Sequence, residues 1–298
     1  MLYHYTTIPA MRSILRDAGN RGRMCFWATR YDCFADEKEY RLGVETIRRL
    51  LTEIEKGLQE DRRVAQDFDW ELIEWNVNLP YPFIVSFTAR PDNEYMWNEY
   101  AKDDGVVLEI DDSIFVPNKE MTMIMSKPCL YAGLLSDEEL AKEIQNEYTF
   151  GGLVMLKGPM SKDAFELLEK HPQAFVRLIA TYLLAFVATR IKGKDYSKEE
   201  ETRVIIQSQL PVITEFVKNN RDTIQNALHL DPDELMQAMS QQRTRQRGDK
   251  VIFYRNFYIP LDLLRAVYTK SEYYEQVNTF IHGSVSKDIP VIKITSLK

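Results

Sequence analysis

Three short clusters in the sequence combine residue types that could do chemistry. The first is Tyr3-His4-Tyr5-Thr6. It lies in a predicted strand, where side chains two residues apart lie on one face, so His4 and Thr6 could together hydrogen-bond a ribose or an amide. A structural histidine at the end of a sheet is the alternative, and the spacing taken alone favours it.

The second cluster is Ser86-Phe87-Thr88, followed by Trp97 and Tyr100. Ser86 and Thr88 share one face of a predicted strand. Trp97 and Tyr100 are three residues apart on a predicted helical turn, so they also share a face. This arrangement fits an aromatic wall beside hydroxyl donors. Ordinary packing of an aromatic pair is the alternative, and the cluster taken alone favours it.

The third cluster is the charged run 197–203, which enters the apolar segment 204–206. If a strand begins early in this run, Glu199, Glu201 and Arg203 lie on one face. A carboxylate at the mouth of a strand is costly to bury unless it is paired or used. A solvated charge run with one Glu–Arg pair is the alternative.

Composition limits the kind of site that these clusters can form. The chain has 298 residues with 38 basic and 45 acidic side chains, so its formal charge is −7. It has 16 Tyr, 14 Phe and 4 Trp but only 4 His and 3 Cys without a C-x-x-C pair, so aromatic faces, hydroxyls and carboxylates are expected rather than metal ligands. The acidic balance argues against broad binding of nucleic acid and leaves a local basic patch open.

Several familiar motifs are missing from the sequence. No G-x-G-x-x-G follows a predicted strand, and no P-loop, H-E-x-x-H or G-x-S-x-G occurs. The longest uncharged apolar stretch covers residues 178–189, which is too short to cross a bilayer. The N-terminus lacks the pattern of a signal peptide. We therefore expect a cytoplasmic protein with no membrane partner.

The elements that must position the clusters form an α+β pattern. Predicted strands at both ends of the chain enclose helical segments, and no linker or repeat divides them, so one domain over 1–298 is expected. Helical elaborations are predicted at about 135–192 and 207–248. A basic run, Arg243, Arg245, Arg247 and Lys250, is placed at a helix end, where cations complement the helix dipole. It could touch nucleic acid, but a solvated terminus is favoured.

The motif order resembles that of the bacterial family called domain of unknown function 2971. The match covers, in order, about two thirds of the chain, and short segments within it carry the resemblance. They are LYHYT (2–6), IL (14–15), WAT (27–29), FADEKE (34–39), VSF (85–87), MWNEYA (96–101), GVVLEI (105–110), EEETR (199–203) and YIPL (258–261). Ala35 departs from the family pattern, which usually has Asn there.

The resemblance implies a fold and a set of site residues. The family's layout is similar to that of ADP-ribosyltransferases, which implies a mostly antiparallel, split β-sheet with helical insertions. An early His contacts the adenosine ribose there, a Ser/Thr strand and an aromatic hold the nicotinamide, and a late Glu acts at the scissile bond. Glu201 is thus the implied catalytic residue and Glu199 the first acid of its E-x-E pair. The implied NAD-binding residues are His4, Tyr5, Thr6, Trp27, Ser86, Trp97 and Tyr100.

The implied chemistry is coherent with the composition. Cleavage of the nicotinamide–ribose bond passes through an oxocarbenium-like transition state, which a carboxylate stabilises. An aromatic face attracts the cationic nicotinamide by about 0.5–2 kcal/mol. NAD would be consumed as a substrate, and no metal is required.

These inferences predict an ADP-ribosyltransferase-like protein that transfers ADP-ribose from NAD to a protein or nucleic-acid acceptor. The resemblance also suggests a role as a toxin or phage-defence effector. The alternative is a non-catalytic module that binds a nucleotide or a protein. A third class, a metal-dependent nuclease using Glu109, Asp111 and Asp112, ranks last. Geometry discriminates among them, because the transferase hypothesis requires His4, Ser86 and Glu201 to converge on one cleft.

Overall fold

The fold was described from a computed structural model of the chain. The structure describes residues 1–34, 36, 38–56, 60, 63, 65, 82–115, 124–145, 183–206, 214, 217–219, 221–226 and 231–294. Within these ranges, none of the helices combines the length and the apolar character that a bilayer crossing requires. Ala35, where the sequence departs from the family pattern, lies outside the described residues.

Twelve strands lie within the described ranges, and most pair antiparallel. They are β1 (Leu2–Thr7), β2 (Arg23–Arg30), β3 (Phe83–Thr88), β4 (Gly105–Ile110), β5 (Ile124–Pro128), β6 (Leu130–Ala132), β7 (Ile191–Gly193), β8 (Glu201–Ile206), β9 (Arg243–Arg247), β10 (Lys250–Pro260), β11 (Leu264–Lys270) and β12 (Val291–Ile294). Ten of them form one sheet, in which β11 and β12 are the parallel pair, and β6 and β7 form a separate parallel pair. The predicted α+β class with a mostly antiparallel sheet is confirmed.

The ten-stranded sheet divides at β3. One edge of β3 pairs along its whole length with β8, which in turn pairs with β5. The other edge is shared: Thr88 pairs with Tyr3 of β1, whereas Phe83 and Ile84 pair with the end of β2. The strands β1, β4, β11 and β12 form a first arm, and β2, β10 and β9 form a second arm.

Helices cover the sheet and have local signals at their ends. The α-helices are Ile8–Ile14, Ala18–Arg21, Glu39–Ile54, Glu94–Glu99, Arg221–Asn226, Pro232–Ser240 and Tyr274–Phe280, and residues 137–145 are also helical. Thr7 caps the first of them, and the Asp231 carboxylate accepts hydrogen bonds from the amides of residues 233 and 234. Proline occupies the first turn in both cases.

Both faces of the central strands are buried, and the alternation along β8 assigns its side chains to them. Val204 and Ile206 lie in the larger core with Phe87. Ile205 lies on the opposite face, in a second core against the helix Glu39–Ile54. Because side chains two residues apart share a face, Glu201 and Arg203 lie on the same face as Ile205.

The helical elaborations differ from the prediction in two places. The segment 135–192 contains a π-helical turn at Leu183–Val187 and ends in β7, and its residues 146–182 lie outside the described ranges. The segment 207–248 contains β9, so the basic run is an edge strand and not a helix end. The helix-end prediction was wrong because arginine at every second position, Arg-Thr-Arg-Gln-Arg, is a strand pattern.

Candidate functional site

A buried ion pair at the start of β8 is the foundation of the site. Arg203 Nε lies 2.9 Å from Glu201 Oε1, and Arg203 Nη2 lies 3.1 Å from Glu201 Oε2. The contact is bidentate, which is the strongest geometry for an arginine and a carboxylate. Both side chains are almost fully buried, so the Glu–Arg pair foreseen as a solvated one is in the interior.

Three further charges complete this group, which we call the buried ion cluster: Glu39, Lys192, Glu199, Glu201 and Arg203. Lys192 Nζ lies 2.8 Å from Glu201 Oε2 and 3.6 Å from Glu39 Oε2, and it also contacts Glu199. Arg203 contacts Glu39 as well. Every member is less than 10% exposed. Three carboxylates and two cations leave the cluster one negative charge in excess.

The cluster holds Glu201 and Lys192 in their charged forms. Burial alone would raise the pKa of Glu201, but Arg203 and Lys192 outweigh it and keep that pKa below its ordinary value. Burial acts on Lys192 in the opposite direction, and Glu201 and Glu39 outweigh it, so the pKa of the ammonium is raised. Glu201 therefore stays ionised at neutral pH, with both oxygens occupied by cations.

Glu199 links the cluster to an exposed side chain, although it is itself 3% exposed. Its Oε1 accepts a hydrogen bond of 2.7 Å from the hydroxyl of Tyr100, whose ring is 49% exposed. Burial of that hydroxyl and its bond to Glu199 raise the pKa of Tyr100. Between the two inward acids, Glu200 has φ of 47°, a left-handed conformation that turns its side chain outward to Arg90 at 3.0 Å.

A set of hydrogen bonds made by Tyr5 and Asn93, which we call the latch, joins two loops and shapes the surface outside Glu199. The hydroxyl of Tyr5 donates to the carbonyl of Arg90 and accepts from the amide of Asn93, at 3.0 Å each. Asn93 Nδ2 donates to the carbonyl of Lys198 at 2.7 Å. Thr88 Oγ1 donates to the carbonyl of Glu199 at 2.8 Å. The backbone at Lys198 and Glu199 is therefore held by one side chain from a loop, Asn93, and one from the sheet, Thr88.

A cavity of about 380 Å³ opens outside this latch. Burial and the nearby Glu199 raise the pKa of Tyr95, which lies in the cavity wall close to the cluster. The wall offers two cations, two carboxylates, two amides and one phenol. Its residues are Arg90, Asn93, Glu94, Tyr95, Asn98, Lys198 and Glu200.

The cluster brings together three of the motifs on which the family resemblance rests. FADEKE contributes Glu39, MWNEYA contributes Tyr100, and EEETR contributes Glu199, Glu201 and Arg203. These segments are more than fifty residues apart in sequence. Their convergence around one charged group, beside a cavity, makes this the candidate site.

Ser86 and Trp97 have supporting places near the site. Ser86 is opposite Arg203 in the register of β3 and β8, so it lies on the face that carries the cluster. Trp97 is 1% exposed, contacts Tyr5 edge-on at 5.6 Å and donates its Nε1 proton to the carbonyl of Pro91 at 2.8 Å. It packs behind the loop and is not a cavity wall, in agreement with the packing alternative.

His4 does not join the other predicted residues. It lies on the opposite face of the sheet, between Phe26 and Phe87, with ring centroids 5.1 and 5.6 Å away. Its Nδ1 lies 2.9 Å from the carbonyl of Ser86, at the point where β1 departs from β3. The imidazole thus gives the carbonyl of Ser86 a hydrogen bond in place of the backbone bond that β1 no longer makes there. Burial lowers the pKa of His4, so it is neutral at pH 7.

Thr6 shares the face of His4, whereas Tyr5 lies on the face of the cluster, so the first motif divides between the two sides of the sheet. His4, Ser86 and Glu201 therefore do not converge on one cleft. Trp27 belongs to the second arm, where its ring is 41% exposed and stacks on Tyr254.

The carboxylates of the nuclease hypothesis point to separate partners. Glu109 accepts a hydrogen bond from Tyr268, Asp111 pairs with Arg265, and Asp112 pairs with the N-terminal ammonium. Among the described residues, no group of three or more His, Cys, Asp and Glu side chains is arranged to hold a metal ion.

No protein-family model matches the sequence, and no match was found among curated proteins or among solved structures.

Sequence reasoning missed Lys192 and the role of Glu39. Lys192 stands between Arg190 and Lys194, each two residues away, and nothing in this alternation of basic residues distinguishes Lys192 as the one with buried partners. Glu39 was quoted only as part of a motif, and its burial at the start of a helix could have been foreseen only with the partners known.

Proposed function

We propose that this chain binds a ribose-containing nucleotide, NAD or a related molecule, in the cavity beside Glu199. The observation that carries the proposal is the convergence of FADEKE, MWNEYA and EEETR around one buried ion cluster with that cavity outside it. Polar groups held at fixed positions in a cleft of a few hundred Å³ are typical of a ligand site.

The cavity wall matches the parts of such a ligand. Arg90 and Lys198 can hold a phosphate, the carboxylates of Glu94 and Glu200 can accept from ribose hydroxyls, and the ring of Tyr95 can stack on a base. A volume of about 380 Å³ suits half of a dinucleotide better than the whole. The balance of two cations and two carboxylates favours a ligand with both phosphate and hydroxyl groups over a bare polyanion.

We rank nucleotide binding before catalysis because the carboxylate of Glu201 is already paired. Arg203 and Lys192 bind both of its oxygens, its side chain is 5% exposed, and it does not line the cavity. His4 lies on the other face of the sheet and has no part in the proposal. The binding and regulatory alternative of the sequence analysis is thus the first candidate.

ADP-ribosyl transfer to a protein or nucleic-acid acceptor is the second candidate, and the position of Glu199 favours it. Its chain neighbours Lys198 and Glu200 line the cavity. Its own carboxylate is 3% exposed and would have to leave Tyr100 or Lys192 to reach a ribose. In the reaction, the bond between nicotinamide and C1′ of the ribose breaks and its electron pair leaves with neutral nicotinamide. The acceptor then bonds to C1′ and loses a proton. Glu199 would stabilise the cationic sugar between these steps.

The test is calorimetric titration of the purified protein with NAD, ADP-ribose and nicotinamide mononucleotide. We expect one site per chain, with affinity lost in Arg90→Gln and weakened in Lys198→Ala. Lys142→Ala, which removes an exposed lysine far along the chain, is the matched control. Failure of all three ligands to bind would overturn the proposal, as would equal weakening in Lys198→Ala and Lys142→Ala.

Nicotinamide release separates the two candidates. If the wild type releases nicotinamide from NAD with an acceptor extract and Glu199→Gln does not, while still binding NAD, transfer is the function. If NAD binds without release under any acceptor, the chain is a binding protein.

A further inference from the structure

The outer edge of the second arm carries a row of arginines. In β9, Arg243, Arg245 and Arg247 alternate with Thr244 and Gln246, so the three guanidinium groups leave the same face of the strand. Successive members are about 6.8 Å apart at the usual rise of an antiparallel strand. Arg243 and Arg247 are exposed, and β9 pairs only with β10 among the described strands.

An exposed aromatic platform adjoins this row. The ring of Trp27 is stacked on Tyr254 with centroids 4.8 Å apart and planes 35° apart. The guanidinium carbon of Arg245 lies 5.1 Å from the centroid of Trp27. Trp27 is nonetheless 41% exposed. A large aromatic side chain that packs against a neighbouring ring and remains exposed to solvent is suited to stacking against a flat ligand.

The charge of this edge is opposite to that of the whole protein. Between Arg243 and Asn256 the sequence has five basic residues and one acid, Asp249, whereas the chain carries −7. None of the three arginines of β9 makes an ion pair with a described carboxylate. Arg245 Nε is buried and has no hydrogen-bond partner among the described residues. Burial and the neighbouring Arg247 lower the pKa of Arg245, so an anion at this position would relieve both effects.

We propose that the face of β9 and Trp27 binds single-stranded nucleic acid. The phosphates lie against the guanidinium groups of Arg243, Arg245 and Arg247, and one base stacks on Trp27. A row of cations beside an open aromatic face is the combination that such proteins use. A duplex is disfavoured because its bases are already stacked and could not reach the indole.

The arginines could instead serve only to keep an edge strand from pairing with another copy, since charged side chains blunt sheet edges. That role requires neither an exposed aromatic side chain nor the guanidinium group of Arg245. It is therefore one of the outcomes that the experiment must distinguish.

The experiment is fluorescence anisotropy of labelled oligo(dT) and oligo(U) with the full chain over a range of salt. Three phosphate contacts predict a slope of log K against log salt of about −2. We expect Arg243→Gln with Arg247→Gln to bring that slope near −0.7, because one contact then remains. Trp27→Leu should weaken binding at least about fivefold, because stacking is lost. The relative affinity of the two oligomers reports whether DNA or RNA is preferred.

The matched control is Arg41→Gln with Arg48→Gln, which removes two exposed arginines from the helix Glu39–Ile54. It has the same net charge as Arg243→Gln with Arg247→Gln, which we call the hairpin variant, and should bind like the wild type. The proposal is overturned if neither oligomer binds, if the control loses as much affinity as the hairpin variant, or if a duplex or polyglutamate competes as well as oligo(dT). It is also overturned if the hairpin variant self-associates in gel filtration but binds oligomers unchanged.

Discussion

Removal of Lys192 from the buried ion cluster should be among the most damaging single changes in the protein. Lys192→Met keeps the length of the side chain and deletes the ammonium. At 2.8 Å from Glu201, that ammonium contributes about 6 kcal/mol of Coulomb attraction at an effective dielectric constant of about 20. The free energy needed to remove the ammonium from water offsets part of this attraction. Breaking a buried pair on one side costs about 3–5 kcal/mol, and we expect the free energy of unfolding at pH 7 to fall by that amount.

The pH dependence of the loss has a definite sign. In the wild type, the lowered pKa of Glu201 gives a stabilising contribution that is complete at neutral pH and is lost only as pH falls through that lowered pKa. In Lys192→Met, three buried carboxylates face one guanidinium, so the pKa of one of them rises above its unfolded value of about 4.3. The folded variant then holds more protons than its unfolded chain, and its stability increases as pH falls from 7 to 5.

Urea unfolding followed by far-ultraviolet circular dichroism at pH 7 and pH 5 measures both effects. The stability gap between wild type and Lys192→Met should narrow at pH 5. Adding Glu199→Gln to the variant should recover more than half of the loss, because Lys192 is the only cation of the cluster that contacts Glu199, and its charge would otherwise be left unpaired. Lys142→Met is the exposed control and should change stability by less than about 0.5 kcal/mol. A gap below about 1 kcal/mol, a gap that widens at pH 5, or purely additive variants would refute the reasoning.

Three further substitutions test the supporting structure, each by urea unfolding. His4→Ala leaves the β3 carbonyl without its donor and should cost about 1–3 kcal/mol, yet it should not change nucleotide affinity; a large loss of affinity would return His4 to the site. Gly43→Ala places a Cβ against the backbone carbonyl of Ala188 and should lower the free energy of unfolding by about 1–3 kcal/mol. An unchanged urea midpoint would mean that the helix Glu39–Ile54 and the backbone at Ala188 are not in contact. Tyr5→Phe removes both hydrogen bonds of its hydroxyl and should weaken nucleotide binding together with stability, and a normal affinity would exclude the latch from shaping the cavity.

The strand pattern of β8 was predictable, but the position of Glu199 was not. Strand periodicity correctly placed Glu201 and Arg203 on one face. Glu199 was expected there only if the strand began early, and the strand begins at Glu201. Glu199 reaches the cluster from a 3-10 turn, because the left-handed Glu200 reverses the chain between them. No periodicity rule describes such a junction.

The arrangement of the motifs in space could not be read from the sequence. Lys192 and Glu39 meet across 153 residues, and nothing local to either one identifies the other. The same holds for the register around β3. Thr88 pairs with both Tyr3 and Glu201, so the alternation along β1 places His4 on the face opposite Glu201. By contrast, the alternation of arginine in β9 was visible, and the nearby Gly248 and a preceding helix led to the wrong assignment.

The span of the buried ion cluster along the chain also governs the order in which the protein can fold during synthesis. Glu39 and Tyr100 leave the ribosome long before Lys192 and Arg203, which complete the cluster. The carboxylate of Glu39 must remain hydrated until about two thirds of the chain has emerged, and β3 cannot pair with β8 before then. Closure of the sheet is consequently a late, long-range event, and the unpaired edge of β3 is the surface that a chaperone would have to shield in the nascent chain.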